Sequence, residues 1–190
     1  MVSSDFGETA TILYGDTILL NCLESPGYLM AQAVGNDGIF VECLADSGLP
    51  PSDLHACKLQ IFVKQQCIAQ KAFAKELASR GLKEDTWLGE LQSKLKNDMG
   101  FGRNSTAAAR LKMCEKAAVL EKQGNKNELM RTKGTSVRYG HAVQLWHTAS
   151  KRFVVLRKEN ARLETQNIFV ALTDVLDDAC WFTLRVRHPP

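Results

Sequence analysis

Apolar positions follow two different rhythms along this chain. In the flanks they come in short alternating or continuous runs: "DTILLNC" from Asp16, "GYLMAQAV" from Gly27, "GIFVECL" from Gly38, "HAVQLWH" from His141, "RFVVLRK" from Arg152 and "NIFVALT" from Asn167. Gly, Pro, Asn or Asp clusters separate most of these runs, the punctuation of strands joined by tight turns. In the middle, apolar residues recur at three- and four-residue steps instead. "VKQQCIAQKAFAKELASRG" puts Ile68, Ala69, Ala72, Phe73 and Leu77 on one stripe and offers Gly81 as a stop. "EDTWLGELQSKLKND" gives a shorter set, Trp87, Leu88, Leu91 and Leu95. "MGFGRNS" reads as a loop by its glycines and asparagine. Ser105 then caps "TAAARLKMCEKAAVLEKQ", which aligns Ala107, Leu111, Cys114 and Ala118, and Gly124 with "NKNE" is expected to loosen the end. The pattern predicts two main helices and a minor one between strand-rich flanks.

The two flanks repeat each other. Tyr14-Gly15 matches Tyr139-Gly140, Leu20 matches Leu145 and Tyr28 matches Phe153, all at one offset. "GIFVECLAD" matches "NIFVALTDV" after a small length change, and "LHACKLQIFV" faces "DDACWFTLRV", with Ala56-Cys57 against Ala179-Cys180. Each copy holds roughly forty-odd residues and about four strands, the period of a supersecondary unit that cannot close a core alone. Two such units suggest a β-trefoil, in which three close a small barrel. The reading is a mainly β chain with an α insertion: a β-trefoil head with two of three repeat units present, and an inserted helical arm. The first unit takes 1–63, the arm 64–133 and the second unit 134–190. The third unit is missing, so truncation is the simplest explanation, and exposed apolar surface with unpaired strand edges is expected on the open side. A distinct two-unit fold closed by its own helices is the other possibility.

Composition changes this picture in three places. At 45% hydrophobic and 24% charged, the chain can bury a real core. Its net charge of +3 is unevenly spread, basic over 64–133 and acidic in the flanks. That asymmetry points to a negatively charged partner or to the flanks themselves, although solvated helix faces account for the same charges. The six cysteines, Cys22, Cys43, Cys57, Cys67, Cys114 and Cys180, form no C-x-x-C and no zinc spacing with the histidines, so they read as reduced, buried thiols. No apolar run approaches the ~18 residues of a spanning helix. "MVSSDFGETA" is not a secretory signal. A soluble chain is expected, with membrane attachment only through a longer parent.

The stretch from Ala117 to Leu156, "AAVLEKQGNKNELMRTKGTSVRYGHAVQLWHTASKRFVVL", holds a Leu-Glu-Lys helix end, the Gly134-Thr135 step, and Tyr139-Gly140 before Val-Gln-Leu and His147. "ARLETQNIFVALTD", "DACWF", "GDTILL", "LHACKLQIF" and "AQKAF" accompany it. In that order and spacing these words resemble the extreme N-terminal domain of inositol trisphosphate receptors, with ryanodine receptors as close relatives. The likeness covers nearly the whole chain. "YGHA" and "ACWF" lean toward ryanodine receptors, and the Leu-Glu-Lys helix and "AQKAF" lean the other way. The stretch "SRGLKEDTWLGELQSKLKNDMGFGRN" makes the arm long for the inositol trisphosphate type.

The resemblance implies a β-trefoil head with a helical arm between its first two units. It implies a non-enzymatic regulatory domain of a tetrameric calcium-release channel, on the cytosolic face of the endoplasmic reticulum membrane. Such a domain tunes ligand affinity and couples binding to gating, through contacts with the neighbouring ligand-binding domain and other subunits. In this family a first-unit loop helps the head restrain ligand binding. The matching stretch here is "QAVGNDG", which puts Gln32, Val34 and Asn36 on contact positions. The family pattern has Asp where Asn36 stands and Arg where Gly38 stands. The basic residues that hold inositol trisphosphate belong to later domains. No catalytic, cofactor or metal residue is therefore assigned in this chain.

Other chemistry finds little footing. There is no Gly-x-Gly-x-x-Gly, P-loop or Gly-x-Ser-x-Gly. His141 and His147 share one side of a regular strand and would bind metal only with a third ligand; a turn histidine and a partly buried one is the favoured reading. Asp177-Asp178 reads as a turn before the last strand. Trp146 and Trp181 read as core or rim aromatics. Ala109 to Gln123, "ARLKMCEKAAVLEKQ", is a basic amphipathic helix, the form calmodulin targets take, although packing on the first arm helix is favoured. A sugar-binding trefoil associated with protein O-mannosyltransferase is a further alternative. A nucleic-acid binder lacks the aromatic interleaving such proteins use.

Overall fold

Tyr14-Gly15 and Tyr139-Gly140 begin the same backbone pattern twice. The two glycines adopt φ +98° and +82°, a region where a side chain is strained. Gly15 N–H bonds the Ile61 carbonyl at 2.8 Å, and Gly140 N–H bonds the Leu184 carbonyl at 2.9 Å. The turns close alike: Asp16 N–H to the Leu13 carbonyl at 3.1 Å, and His141 N–H to the Arg138 carbonyl at 3.3 Å. The computed structural model describes residues 11–22, 27–31, 38–43, 51–97, 101–160 and 168–186. Their contacts form two units, 1–64 with 129–190, and 65–128.

In the first unit the repeat extends to strand register. β1 (Thr17–Ile18) pairs antiparallel with β5 (Leu59–Val63), Thr17 opposite Gln60 and Ile18 opposite Leu59. β6 (Ala142–His147) pairs with β9 (Phe182–Thr183), Ala142 opposite Thr183 and Val143 opposite Phe182. β2 (Asn21–Cys22) sets Asn21 opposite Tyr28 and Cys22 opposite Gly27 of β3 (Gly27–Ala31). The far end of β6 sets Trp146 opposite Phe153 and His147 opposite Arg152 of β7 (Arg152–Asn160). Finally, Leu29, Met30 and Ala31 face Val41, Phe40 and Ile39 of β4 (Ile39–Cys43). Val154, Val155 and Leu156 face Leu172, Ala171 and Val170 of β8 (Ile168–Thr173).

Two expectations change here. Ile39 is the counterpart of Val170, not of Ile168 as the shared "IFV" suggests. A shift of two residues keeps every side chain on its face, so apolar pattern alone cannot detect it. "DTILLNC" is also not one strand: β1 and β2 join different sheets, whereas β6 is continuous. The difference has a visible cause. β6 lies along β5 from Val143 to His147, and among the described residues β1 and β2 have no such second neighbour.

The sheet order is β1-β5-β6-β7-β8 with β9 on β6, beside a second sheet β2-β3-β4. Both copies feed one core: Tyr14, Ala31, Leu59 and Ile61 pack with Val143, Leu145, Val154 and Leu172. A second cluster holds Phe153, Val155, Ala171 and Cys180, with Trp146 edge-on to Phe153 at 4.6 Å. Short turns stand at matching points of the two copies. Asp53 accepts from His55 and Ala56 N–H at the start of α1 (Leu54–Cys57). Asp177 accepts from Ala179 N–H at the start of a 3-10 turn, Asp178–Cys180. Cys57 and Cys180 end these turns fully buried.

The second unit contains α2 (Ile68–Ala78), α3 (Trp87–Asn97) and most of α4 (Phe101–Thr132). Gly81 stops α2 as its position suggests, at φ +59°. Leu82 N–H reaches back to the Leu77 carbonyl and Gly81 N–H to that of Ala78, and Leu82 packs on Leu77. This is a Schellman closure with its hydrophobic contact. The helices share a core of Phe73, Leu77, Leu82, Trp87, Leu111 and Ala118. Phe73 and Trp87 meet edge to face at 6.2 Å.

α4 is longer than its composition suggests. It starts at Phe101, so Ser105 lies inside it and not at its cap, and it continues past Gly124. Helix propagation is cheap once a nucleus exists, which favours extension upstream of "TAAAR". Downstream, tertiary bonds override propensity. Asn125 Oδ1 accepts Gln66 N–H at 2.8 Å, and Asn125 Nδ2 donates to the Gln66 carbonyl at 2.7 Å. Among the described residues, no helix is long and apolar enough to cross a membrane.

Candidate functional site

His147 sits fully buried at the end of β6. Its Nε2 lies 3.1 Å from the Ala56 carbonyl oxygen and its Nδ1 2.8 Å from Ser150 Oγ. A carbonyl only accepts, so Nε2 carries the proton and Nδ1 accepts from the Ser150 hydroxyl and backbone N–H. The neutral ring thus uses both nitrogens. Burial pushes its pKa below the ordinary 6.5, opposed by the Ala56 and His55 backbone and by the Asp53 charge. The bond ties the second copy to α1 of the first. His141 is exposed and precedes the strand, so the two histidines do not form a pair. Among the described residues, no group of three or more His, Cys, Asp or Glu side chains could hold a metal.

Gln32, Val34 and Asn36 lie outside the described residues, in the connection from β3 to β4. The footing of that connection is described. Ala31 pairs with Ile39 and is buried in the shared core, and Gly38 bridges to Ala171 of β8. The candidate loop therefore springs from a base held by both copies. Elsewhere in this unit, the Lys64 ammonium stands 3.7 Å over the Trp181 ring, a cation–π contact. A cavity of about 190 Å³ between Tyr14, Gln60, Phe62 and Lys133 falls below the usual range for small-molecule sites.

The arm carries two apolar faces on α4. Leu111 and Ala118, with Cys114 beside them, pack into the helical core, as the favoured reading of Ala109–Gln123 requires. Met113, Val119 and Leu120 are 74%, 58% and 63% exposed on the remaining surface, among the exposed Lys112, Lys116 and Lys122. A second apolar set with basic neighbours therefore stays open to a partner.

Sequence reasoning missed the clamp between α4 and the start of α2. Glu121 accepts N–H bonds from Ala69 at 2.9 Å and Gln70 at 3.1 Å, with Gln70 Nε2 also bonded to it. Burial pushes its pKa up, but these bonds and the Ile68 N–H outweigh it and hold the carboxyl below its ordinary value. A negative charge at a helix N-terminus also opposes the helix dipole favourably. One signal was present: Cys67 is a poor N-cap residue, so a cap from elsewhere was due. The accepting carboxylate lies 52 residues from Ala69, beyond local pattern. Glu76 is held low first by its bond from Arg80, with burial opposing and the Arg110 and Arg80 charges assisting.

A family model described as inositol 1,4,5-trisphosphate/ryanodine receptor matches residues 7–188. The inositol 1,4,5-trisphosphate receptor itr-1 of Caenorhabditis elegans is 25% identical over 194 residues, covering 98% of this chain. The chain spans only 6% of the length of that relative.

Proposed function

Because the chain belongs to the inositol 1,4,5-trisphosphate/ryanodine receptor family, we propose that it is the N-terminal regulatory domain of an intracellular calcium-release channel of the inositol trisphosphate receptor type. The family match over 7–188 carries this reading. The nematode relative favours the inositol trisphosphate type. A ryanodine receptor domain is the second reading, favoured by "YGHA" and "ACWF".

In this reading the head is a β-trefoil with units at 1–63 and 134–190 and its arm at 64–133. The in-register repeat supports it, since each strand pair of the first copy has its counterpart in the second. The domain performs no catalysis. It sits on the cytosolic face of the endoplasmic reticulum membrane and touches the ligand-binding domain or a neighbouring subunit through Gln32, Val34 and Asn36. A contact of this kind shifts a channel only by being stronger in one state than in the other. The exposed face of α4 is open to calmodulin, whose targets are basic amphipathic helices.

Alanine at Gln32, Val34 and Asn36 together in the parent channel tests the contact. Calcium release from microsomes is expected at lower agonist concentration, because a restraint on ligand binding is lost. An unchanged dose-response curve contradicts this assignment.

A further inference from the structure

α4 sorts its charges. Between Arg110 and Lys126 it carries five basic residues and two carboxylates. Both carboxylates are engaged inside the arm: Glu115 accepts from Trp87 Nε1–H at 3.2 Å, and Glu121 holds the start of α2. Two of the cations are engaged as well, Arg110 with Glu76 at 3.4 Å and Lys122 with Glu84 at 3.3 Å. Lys112, Lys116 and Lys126 are exposed and, among the described residues, meet no carboxylate. They fall along one helical line with Val119, at steps of four, three and seven residues. Met113 and Leu120, seven residues apart, run beside that line. The opposite side of the helix is committed to the arm's core through Leu111 and Ala118.

We propose that this face of α4 docks on a membrane surface bearing anionic phospholipid headgroups. The three ammonium groups lie among the headgroups, and Met113, Val119 and Leu120 settle at the boundary with the acyl chains. Charge complementarity selects the occupant: the face is cationic, so it repels a second copy of itself and attracts an acidic surface. The free cations are all lysines. An ammonium on a flexible stem is a compact point charge without the fork of a guanidinium, suited to a smeared negative charge and not to a fixed pair of acceptors. Its stem also covers apolar surface while the charge stays wet. Contact is one-sided, because the other face is buried, and a membrane is a flat, one-sided partner. The inference concerns the arm alone and goes beyond the channel reading.

Flotation of the 190-residue chain with vesicles tests this. Vesicles of phosphatidylserine and phosphatidylcholine in equal parts are expected to carry the chain, vesicles of phosphatidylcholine alone are not, and high salt releases it. Lys112→Gln, Lys116→Gln and Lys126→Gln together lower the partition coefficient about 100-fold, at roughly fivefold per cation near the surface. Met113→Ala with Leu120→Ala lowers it further at unchanged charge. Arg157→Gln, Lys158→Gln and Arg185→Gln remove the same charge from exposed positions of the strand-rich unit and leave most of the binding. Equal losses from the two triple variants overturn the proposal, as do binding to phosphatidylcholine alone and no binding to either vesicle. A chain that ignores both vesicles yet takes calcium-loaded calmodulin through Met113 and Leu120 gives the face to an acidic protein, which also overturns it. None of these results bears on control of ligand affinity, which is measured in the parent channel.

Discussion

The imidazole of His147 donates from Nε2 to the carbonyl of Ala56 at 3.1 Å, bonding one repeat to the other from a fully buried position. Protonation would add a donor at Nδ1, which already faces the Ser150 N–H and hydroxyl. In the unfolded chain His147 takes its proton near pH 6.5, and in the fold only below that. Between these points the unfolded state binds more protons, so stability is full above about pH 6.5 and falls as pH drops through the window. Chemical denaturation at about pH 7.5 and 5.5 checks this against His147→Gln, whose amide keeps a donor and an acceptor but does not titrate. The stability advantage of the wild type over the variant shrinks at the lower pH.

Asn125→Ala leaves the Gln66 N–H and carbonyl without their side-chain partner. A loss of about 1–3 kcal/mol is expected, the usual cost of an unmade bond at a shielded polar group. Hydrogen exchange of the amides from Gln66 to Gln70 reads it locally. Glu121→Gln removes the charge and one of the two oxygens that accept from the Ala69 and Gln70 amides, and its effect shrinks in acid: a carboxyl held low stabilises above its ordinary pKa and ceases to as pH falls through the folded value.

The two faces of α4 separate by substitution. Leu111→Ala removes a fully buried side chain from the helical core and costs about 2–5 kcal/mol. Met113→Ala and Leu120→Ala change stability by within about 0.5 kcal/mol, because both side chains are largely in solvent. Calmodulin binding, measured by calorimetry with calcium present, shows the reverse order if that face is its target. The exposed pair lowers affinity, and no saturable binding at all rejects the calmodulin reading.

Gly15→Ala and Gly140→Ala are expected to cost alike. Each places a side chain at positive φ, worth roughly 1–2 kcal/mol. Neither is decided by crowding, since a Cβ at Gly15 would meet Lys133 Cγ at an ordinary 3.5 Å and one at Gly140 meets nothing within 4 Å. Equal losses in urea midpoints support equivalent turns; a large loss at only one position contradicts the equivalence.

What could be read from sequence follows from the range of each force. Tyr-Gly turns, the Asp-capped Ala-Cys turns and the Gly81 stop are local, and the chain writes them in adjacent residues. The stripe of Leu111, Cys114 and Ala118 is periodic and equally legible. The continuation of α4 through Gly124 depends on Asn125 meeting Gln66, and the cap of α2 depends on Glu121, both far away in sequence. β1 and β2 join different sheets, with no second neighbour among the described residues, and the two-residue shift of β8 is invisible to alternation. The candidate loop at Gln32, Val34 and Asn36 came from family resemblance alone; no local chemistry marks it.

The most direct measurement is equilibrium binding of labelled inositol trisphosphate to the ligand-binding region of the parent channel, with and without residues 1–190 attached. Removal of a restraining head predicts tighter binding. Identical affinity in the two forms contradicts its role as a regulator of ligand binding.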